Sequence, residues 1–145
     1  MTKDTSNRVI AHFRDGSLIK GTTGDFLPTK KKFTVVDGDG VTHEIKIRGL
    51  KAIFFVRELD GDPGHVERKG FFHKHSQGKK VMVKFADGEV IFGHTLSYSR
   101  RGLGFFMFPG DPDCNNTKVF VVHAATDQVK VMDAPSALSA NNYTR

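Results

Sequence analysis

The alternation of apolar and polar residues along the chain occurs twice at a constant interval. Residues 9–23 and 81–95 each contain an alternating run, an Asp-Gly pair and a second run, with Val, Phe, Asp-Gly, Ile, Gly and Thr at matching places 72 residues apart. Asp-Gly between two such runs predicts a β-hairpin with a type I′ turn, in which both central residues have positive φ. The chain therefore contains two copies of one small β unit.

The two copies also end in similar ways. Residues 44–56 and 119–132 each form two apolar runs, joined at Arg48-Gly49 in the first copy and at His123-Ala124 in the second. Another strand fits between hairpin and ending in each copy, at residues 32–36 and 103–108. Five short strands in about fifty residues predict a small antiparallel barrel. A glycine inside each second strand, Gly21 and Gly93, predicts the bulge or sharp bend that such a barrel needs.

These patterns divide the chain into two barrels with a linker and two tails. We expect an N-terminal tail at residues 1–8, a first barrel at 9–58, a connector at 59–78, a second barrel at 79–132 and a disordered C-terminal tail at 133–145. Residues 66–76 of the connector are predicted to form a helical turn. About fifty residues is marginal for an independent core, and we therefore expect an all-β protein whose two tandem five-stranded barrels pack together.

Composition narrows the class of protein. The 145 residues include 22 Lys+Arg and 16 Asp+Glu, which gives a net charge of +6 and favours an anionic partner. A single cysteine excludes an internal disulfide and a cysteine-based zinc site. No apolar run approaches the ~20 residues that span a bilayer, and residues 1–8 lack the apolar stretch of a signal peptide. We expect a cytoplasmic protein with no membrane association.

Basic residues collect in the loops after the second strands, at the first closing turn, and in and beside the connector. The candidate nucleic-acid-binding residues are Lys30, Lys31, Lys32, Arg48, Arg68, Lys69, Lys74, Lys79, Lys80, Arg100 and Arg101. Both copies carry a basic loop at the same place although the loop sequences differ, which favours contact with a phosphate backbone. The alternative is that these cations are solvated faces needed for solubility. Phe71-Phe72 in the connector either stack on bases or fill the gap between the barrels.

Catalytic and metal-binding patterns are weak. His73-Lys74-His75 and His65 could approach a metal, but no cysteine or suitably spaced carboxylate accompanies them, and we assign neither a metal nor a cofactor. No glycine-rich phosphate loop precedes a helix and no nucleophile elbow occurs, so we expect no enzymatic activity.

The hairpin with its later glycine and the closing Ile47-Arg48-Gly49 resemble the Sm-like RNA-binding fold, over most of residues 9–56 and more weakly over 81–132. This resemblance implies two SH3-like small barrels and an RNA-binding role for Arg48. The Asp and Asn that hold a base in Sm-like proteins are replaced by Pro28 and Lys31 in the first copy, and by Arg100 and Leu103 in the second. The segments LKAIFFVRELDGD and GFFMFPGDPDCNN also resemble an uncharacterised bacterial family.

These observations favour a non-catalytic binding module for an anionic polymer, RNA or single-stranded DNA, with low sequence specificity and a possible homo-oligomeric state. One alternative is a protein-interaction module in bacterial signalling, which exposed Phe54, Phe92 or Phe106 would favour. The other is a PilZ-like cyclic-dinucleotide receptor, because residues 97–105 resemble the second motif of that family. In that reading Ser97 replaces the usual Asp or Asn, and Arg68 is the nearest candidate for the missing arginine motif.

Overall fold

The computed structural model describes residues 7–59, 78–96, 98–111 and 115–132, which form ten β-strands and two short 3-10 turns. The first five strands are β1 (Asn7–Phe13), β2 (Leu18–Thr23), β3 (Lys32–Val36), β4 (Thr42–Lys46) and β5 (Leu50–Val56), with a 3-10 turn at Ile47–Gly49. The second five are β6 (Lys79–Phe85), β7 (Val90–Thr95), β8 (Gly104–Pro109), β9 (Asn116–Val122) and β10 (Thr126–Met132), with a 3-10 turn at His123–Ala125. The helical turn predicted for residues 66–76 lies outside the described residues.

All ten strands belong to one antiparallel sheet in the order β10-β6-β7-β8-β9-β5-β1-β2-β3-β4. We call β1–β5 the first repeat and β6–β10 the second repeat. Each repeat has the same internal order, with its fifth strand beside its first and its fourth at the opposite side. The fifth strand of the first repeat pairs with the fourth strand of the second repeat, and this β5·β9 pairing joins the repeats.

The strand registers show which residues of the two repeats are equivalent. Thr34 pairs with Glu44 in the first repeat, and Phe106, which lies 72 residues after Thr34, pairs with Phe120 in the second. The spacing between equivalent residues is therefore 72 in the first three strands and 76 in the last two. The pairs Ile10–Phe54 and Met82–Lys130 give the same two spacings.

Strands β5 and β9 are buried on both faces because each contributes to two cores. In β5, Ala52, Phe54 and Val56 belong to the core of the second repeat, whereas Ile53 and Phe55 belong to that of the first. In β9, Val119 and Val121 belong to the core of the second repeat, and Phe120 and Val122 belong to that of the first. The two cores therefore lie on opposite faces of the joining strands, which explains why residues 52–56 and 119–122 are continuously apolar.

The prediction of type I′ hairpin turns is wrong. In each of these two Asp-Gly pairs the glycine has positive φ, +93° at Gly16 and +96° at Gly88, whereas the aspartate does not. In the first hairpin, Phe13 N–H donates to the Ser17 carbonyl at 2.8 Å and Gly16 N–H to the Phe13 carbonyl at 3.1 Å, the pattern of a type I turn followed by a left-handed glycine. The Asp15 carboxylate also accepts the Ser17 N–H at 2.8 Å, which gives aspartate a backbone-stabilising role in this turn.

Glycines in the second strands allow the neighbouring strand to approach closely. A Cβ atom built on Gly21 would lie 2.2 Å from the Val36 carbonyl oxygen, and one on Gly93 would lie 2.1 Å from that of Phe108. The sheet is nevertheless open, since the strands at its two ends, β4 and β10, do not pair with each other. The all-β prediction is confirmed, whereas two closed five-stranded barrels are not.

Candidate functional site

Each basic loop is attached to the 3-10 turn of its own repeat by the same backbone hydrogen bond. In the first repeat, Ile47 N–H donates to the Lys31 carbonyl at 2.9 Å, and in the second, His123 N–H donates to the Leu103 carbonyl at 2.9 Å. The loop that contains Lys30 and Lys31 therefore occupies the same structural position as the loop that contains Arg100 and Arg101.

Each 3-10 turn is in turn attached to the first hairpin of its repeat. Arg14 N–H donates to the Gly49 carbonyl at 3.0 Å, and Ala86 N–H donates to the Ala125 carbonyl at 2.9 Å. These bonds correct the sequence alignment of the closing turns, because they make Ala125 the counterpart of Gly49. Arg48 therefore corresponds to Ala124, and His123 corresponds to Ile47 rather than to Arg48.

The first hairpins and the 3-10 turns of both repeats border a shared cleft of about 730 Å³. The first repeat contributes Phe13, Arg14, Asp15, Arg48, Gly49 and Lys51, and the second contributes Phe85, Ala86, Asp87 and Ala125. Each basic loop is thus bonded to a 3-10 turn that borders this cleft. We call the cleft and the two loops the basic face.

Two exposed arginines that line the cleft have no acidic partner among the described residues. No carboxylate of the described residues lies within ion-pair distance of Arg14 or Arg48. The loop residues Lys30, Lys31, Arg100 and Arg101 are also exposed and equally free of such partners among the described residues. Their positive charge is therefore available to an anionic ligand.

A charged cluster connects the two repeats at the cleft. Lys51 of β5, whose side chain is only 12% exposed, binds Asp87 at 2.7 Å and also binds Glu89 of the second repeat. Its Nζ lies 4.7 Å from the centroid of the Phe85 ring. Burial alone would lower the pKa of Lys51, but hydrogen bonds to the two carboxylates outweigh it and raise the pKa. The hydrogen bond from Lys51 holds the pKa of Asp87 below its usual range.

Aromatic rings lie beside the basic loop of the second repeat. Tyr98 and His123 are half-buried, and both contact Phe105, with ring centroids 4.8 and 5.5 Å away. His123 Nε2 donates to the Ser99 carbonyl at 2.7 Å, which fixes the ring next to the loop that carries Arg100. This region therefore combines cations with partly accessible aromatic surface.

The structure does not bring all the sequence-predicted cations together. Lys32 lies at the start of β3 and forms an exposed pair with Glu44 at 3.6 Å. Lys79 and Lys80 begin β6, whereas the cleft is at its other end near Phe85, roughly 20 Å away along the strand. The connector residues Arg68, Lys69 and Lys74 lie outside the described residues, as do Phe71 and Phe72.

Sequence reasoning missed the cleft and two of its residues, Arg14 and Lys51. Arg14 could have been found from the repeat, because the arginine before Asp-Gly in the first hairpin corresponds to an alanine in the second. Lys51 could have been found as the one cation in the otherwise apolar segment 50–56, since a buried lysine requires a charged partner.

The described residues contain neither a metal-binding cluster nor a membrane-spanning helix. Among the described residues, no three histidine, cysteine or acidic side chains come close enough to hold a metal ion. His65, His73 and His75 lie outside those residues. No helix in the described part of the chain is long and apolar enough to cross a membrane.

The model of a family of unknown function (DUF6982) matches residues 5–133. Neither a curated protein nor a solved structure shows significant similarity to the chain.

Proposed function

Since the chain belongs to DUF6982, a family of unknown function, we propose a function from its own geometry: non-catalytic binding of single-stranded nucleic acid, RNA or DNA, with low sequence specificity. The observation that carries this proposal is the equivalent attachment of two basic loops, whose cations have no carboxylate partner among the described residues, to the 3-10 turns that border one cleft. A phosphate backbone is a periodic anion, and two equivalent cationic loops can contact successive parts of it.

The strand order supports a finer description of each repeat as a degenerate, open member of the Sm-like group of SH3-like small barrels. In both repeats the fifth strand lies beside the first, a 3-10 turn joins the fourth to the fifth, and the second strand carries a glycine at a close strand crossing. The third strand overlaps the second only briefly, with Thr22–Val36 as the one pair in the first repeat, which is the geometry of a strongly bent sheet.

The electrostatics of the basic face also support polymer binding. Because the loop cations have no carboxylate to leave among the described residues, a phosphate that approaches them displaces only water and counterions. Tyr98 and His123 provide partly accessible rings beside Arg100 and Arg101, and stacking on such rings is tolerant of base identity.

Low specificity follows from the residues at the places where Sm-like proteins hold a base. Pro28 and Lys31 of the first repeat, and Arg100 of the second, are exposed and offer no acceptor side chain for base edges. We therefore attribute affinity to phosphate contacts and stacking rather than to base-edge hydrogen bonds.

The proposal is tested by titrating fluorescent single-stranded 12-mers at several salt concentrations. The variants are Lys30→Glu/Lys31→Glu, Arg100→Glu/Arg101→Glu and the combination of both pairs. Each pair should weaken binding at least tenfold and make the log–log salt slope shallower by roughly 1 to 2. Lys20→Glu/Lys130→Glu is the matched control, because it makes the same charge change at exposed strand positions that do not line the cleft.

An equal loss in the control and in the loop variants would reduce the proposal to a net-charge effect. The absence of wild-type binding at low salt would overturn it.

The two alternative functions are less favoured. Phe54 is 7% exposed, and Phe92 and Phe106 are half-buried, so these rings do not form the exposed apolar patch expected of a protein-interaction surface. The cyclic-dinucleotide alternative depends on Ser97 and Arg68, which lie outside the described residues, and it stays a prediction.

A further inference from the structure

We propose that the cleft between the repeats is a binding site for a phosphomonoester attached to a planar group, of the size of a nucleoside 5′-monophosphate. This inference goes beyond polymer binding, because the cleft would recognise a terminal phosphate rather than an internal phosphodiester.

Two arginines of the first repeat come close together in the fold at the cleft, Arg14 in the hairpin and Arg48 in the 3-10 turn. The backbone bond from Arg14 N–H to the Gly49 carbonyl, at 3.0 Å, brings Arg14 next to the 3-10 turn that carries Arg48. Both arginines are exposed, both line the cleft, and neither has a carboxylate partner among the described residues. Arginine is the residue best suited to bidentate contact with phosphate oxygens.

The second repeat has alanines where the first repeat has this arginine pair. The same backbone bond joins Ala86 to Ala125 there, and the positions of Arg14 and Arg48 are occupied by Ala86 and Ala124. The fold therefore accepts alanine at both positions, so formation of the hairpin and the turn does not account for the arginine pair. A ligand that needs two adjacent cations does account for it.

The charge of the arginine pair and the size of the cleft both fit a phosphomonoester that carries a larger group. A phosphomonoester carries a charge of about −2 near neutral pH and a phosphodiester only −1, so the monoester better matches two guanidinium groups. A cleft of about 730 Å³ lies within the usual range of ligand pockets and is much larger than inorganic phosphate requires. Phe13, Ala86 and Ala125 supply apolar lining on which a planar group can lie.

The remaining charges of the cleft do not compete for the phosphate. Lys51 already holds Asp87 and Glu89, and Asp15 accepts hydrogen bonds from the N–H and hydroxyl of Ser17 at 2.8 and 2.6 Å. Three of these side chains are acidic and would repel a second anionic group. Among the described lining residues, only the two arginines therefore carry positive charge without an acidic partner, which favours one terminal phosphate over a chain of phosphates.

Isothermal titration of the full chain with AMP, adenosine and inorganic phosphate tests the site. AMP should bind at least tenfold more tightly than adenosine or inorganic phosphate, because only AMP has both the charge and the planar group. Arg14→Ala/Arg48→Ala should weaken AMP binding at least tenfold without loss of folding, judged by circular dichroism. Lys20→Ala/Lys130→Ala removes the same charge elsewhere and should leave AMP binding unchanged.

Single-stranded 12-mers with a 5′-phosphate or a 5′-hydroxyl distinguish the two sources of the ligand. Tighter binding of the phosphorylated strand, abolished in Arg14→Ala/Arg48→Ala, supports the site as a reader of strand ends. AMP binding without this preference supports it as a site for a free nucleotide. If the strands bind but AMP does not and the 5′ end makes no difference, the cleft proposal fails while the proposed function stands. If AMP binds and the strands do not, the proposed function fails and the cleft site stands.

Discussion

The junction of the two repeats and the outer edges of the sheet are built from equivalent strands with opposite surface chemistry. At the junction, β5 pairs with β9; at the edges, their counterparts β10 and β4 pair with a described strand on their inner side only, β6 and β3 respectively. Phe120 of β9 corresponds to Glu44 of β4, and Phe54 of β5 corresponds to Lys130 of β10. The aromatic residues are buried and their charged counterparts are exposed.

This difference explains why the edge strands β4 and β10 do not favour pairing with a further molecule. A second molecule placed on β4 as β5 lies on β9 would bury Glu44 where the junction buries Phe120, and Lys130 where it buries Phe54. Charged side chains on edge strands are a common means of preventing continued pairing. The two repeats have therefore diverged most clearly at the strands that determine where the sheet ends.

The largest expected effect comes from placing an edge residue at the junction. Phe120→Glu introduces the residue of the β4 edge into a position with 0% exposure. Loss of the ring and burial of a charge should together cost at least about 4 kcal/mol, a large part of the stability of a domain of this size. Urea unfolding followed by circular dichroism measures this loss, and a cost below about 1 kcal/mol would show that the junction is not a core.

The reverse exchange should remove the protection of the edges. Glu44→Phe/Lys130→Phe gives both edges the side chains of the junction, and we expect head-to-tail association that increases with protein concentration. Light scattering coupled to size-exclusion chromatography should give a higher mass for this variant than for wild type at equal concentration. Glu44→Gln/Lys130→Gln removes the charges without adding rings and should associate less; equal masses for all three proteins would contradict the edge interpretation.

A smaller effect is expected at the ion pair that connects the repeats. Lys51→Met should lower the free energy of unfolding by about 1 kcal/mol, because Asp87 and Glu89 lose a partly buried cation. The pKa of Asp87 is lowered and that of Lys51 is raised in the folded chain. The difference in unfolding free energy between wild type and Lys51→Met should therefore be largest between roughly pH 5 and 9. It should become smaller as the pH falls below about 4 or rises above about 10.

Lys84→Met is the comparison for this variant. Lys84 forms a longer, exposed pair at 3.8 Å with Asp127, which occupies on β10 the place that Lys51 occupies on β5. Its removal should change stability by less than about 0.5 kcal/mol. Equal losses from both variants, measured by urea unfolding, would mean that the Lys51 cluster contributes no more than an ordinary surface pair.

The smallest effect is a pH dependence near neutrality. Burial, and then the charge of Lys51, lower the pKa of His12, whose ring lies 4.6 Å from that of Phe54. The unfolded chain therefore binds a proton more readily, and stability should be full above about pH 6.5 and decrease as the pH falls. Between pH 7.5 and 5.5, wild type should lose a few tenths of a kcal/mol more than His12→Gln; parallel profiles would exclude His12 as the cause.

Much of the strand arrangement could be predicted from sequence because the residues that mark turns and strand crossings occur in both repeats. Asp-Gly at the hairpins, Gly21 and Gly93 at the strand crossings, and the alternating segments define most strand limits. The turn type could not be predicted, because Asp-Gly suits both a type I′ turn and a type I turn followed by a left-handed glycine. The two-sided burial of β5 could not be assigned either, since its continuous apolar run does not reveal which core each side chain joins.

The candidate site was predictable only where charge was repeated. The basic loops stand out in the sequence, but the cleft requires the β5·β9 pairing, a contact between residues sixty or more positions apart. The four-residue difference in spacing before the last two strands also shifted the alignment of the closing turns. That shift placed His123 where Ala124 belongs, and it concealed the contrast between the arginine pair and the alanine pair.

The most direct test of the account is an NMR titration of the isotope-labelled chain with a single-stranded oligonucleotide. We predict that the amide shifts collect in both repeats, at residues 28–32 and 47–49 of the first and at 99–103 and 123–125 of the second. Shifts confined to one repeat, or centred on the β3–β4 hairpin and the outer edges, would contradict a binding face built from two equivalent basic loops.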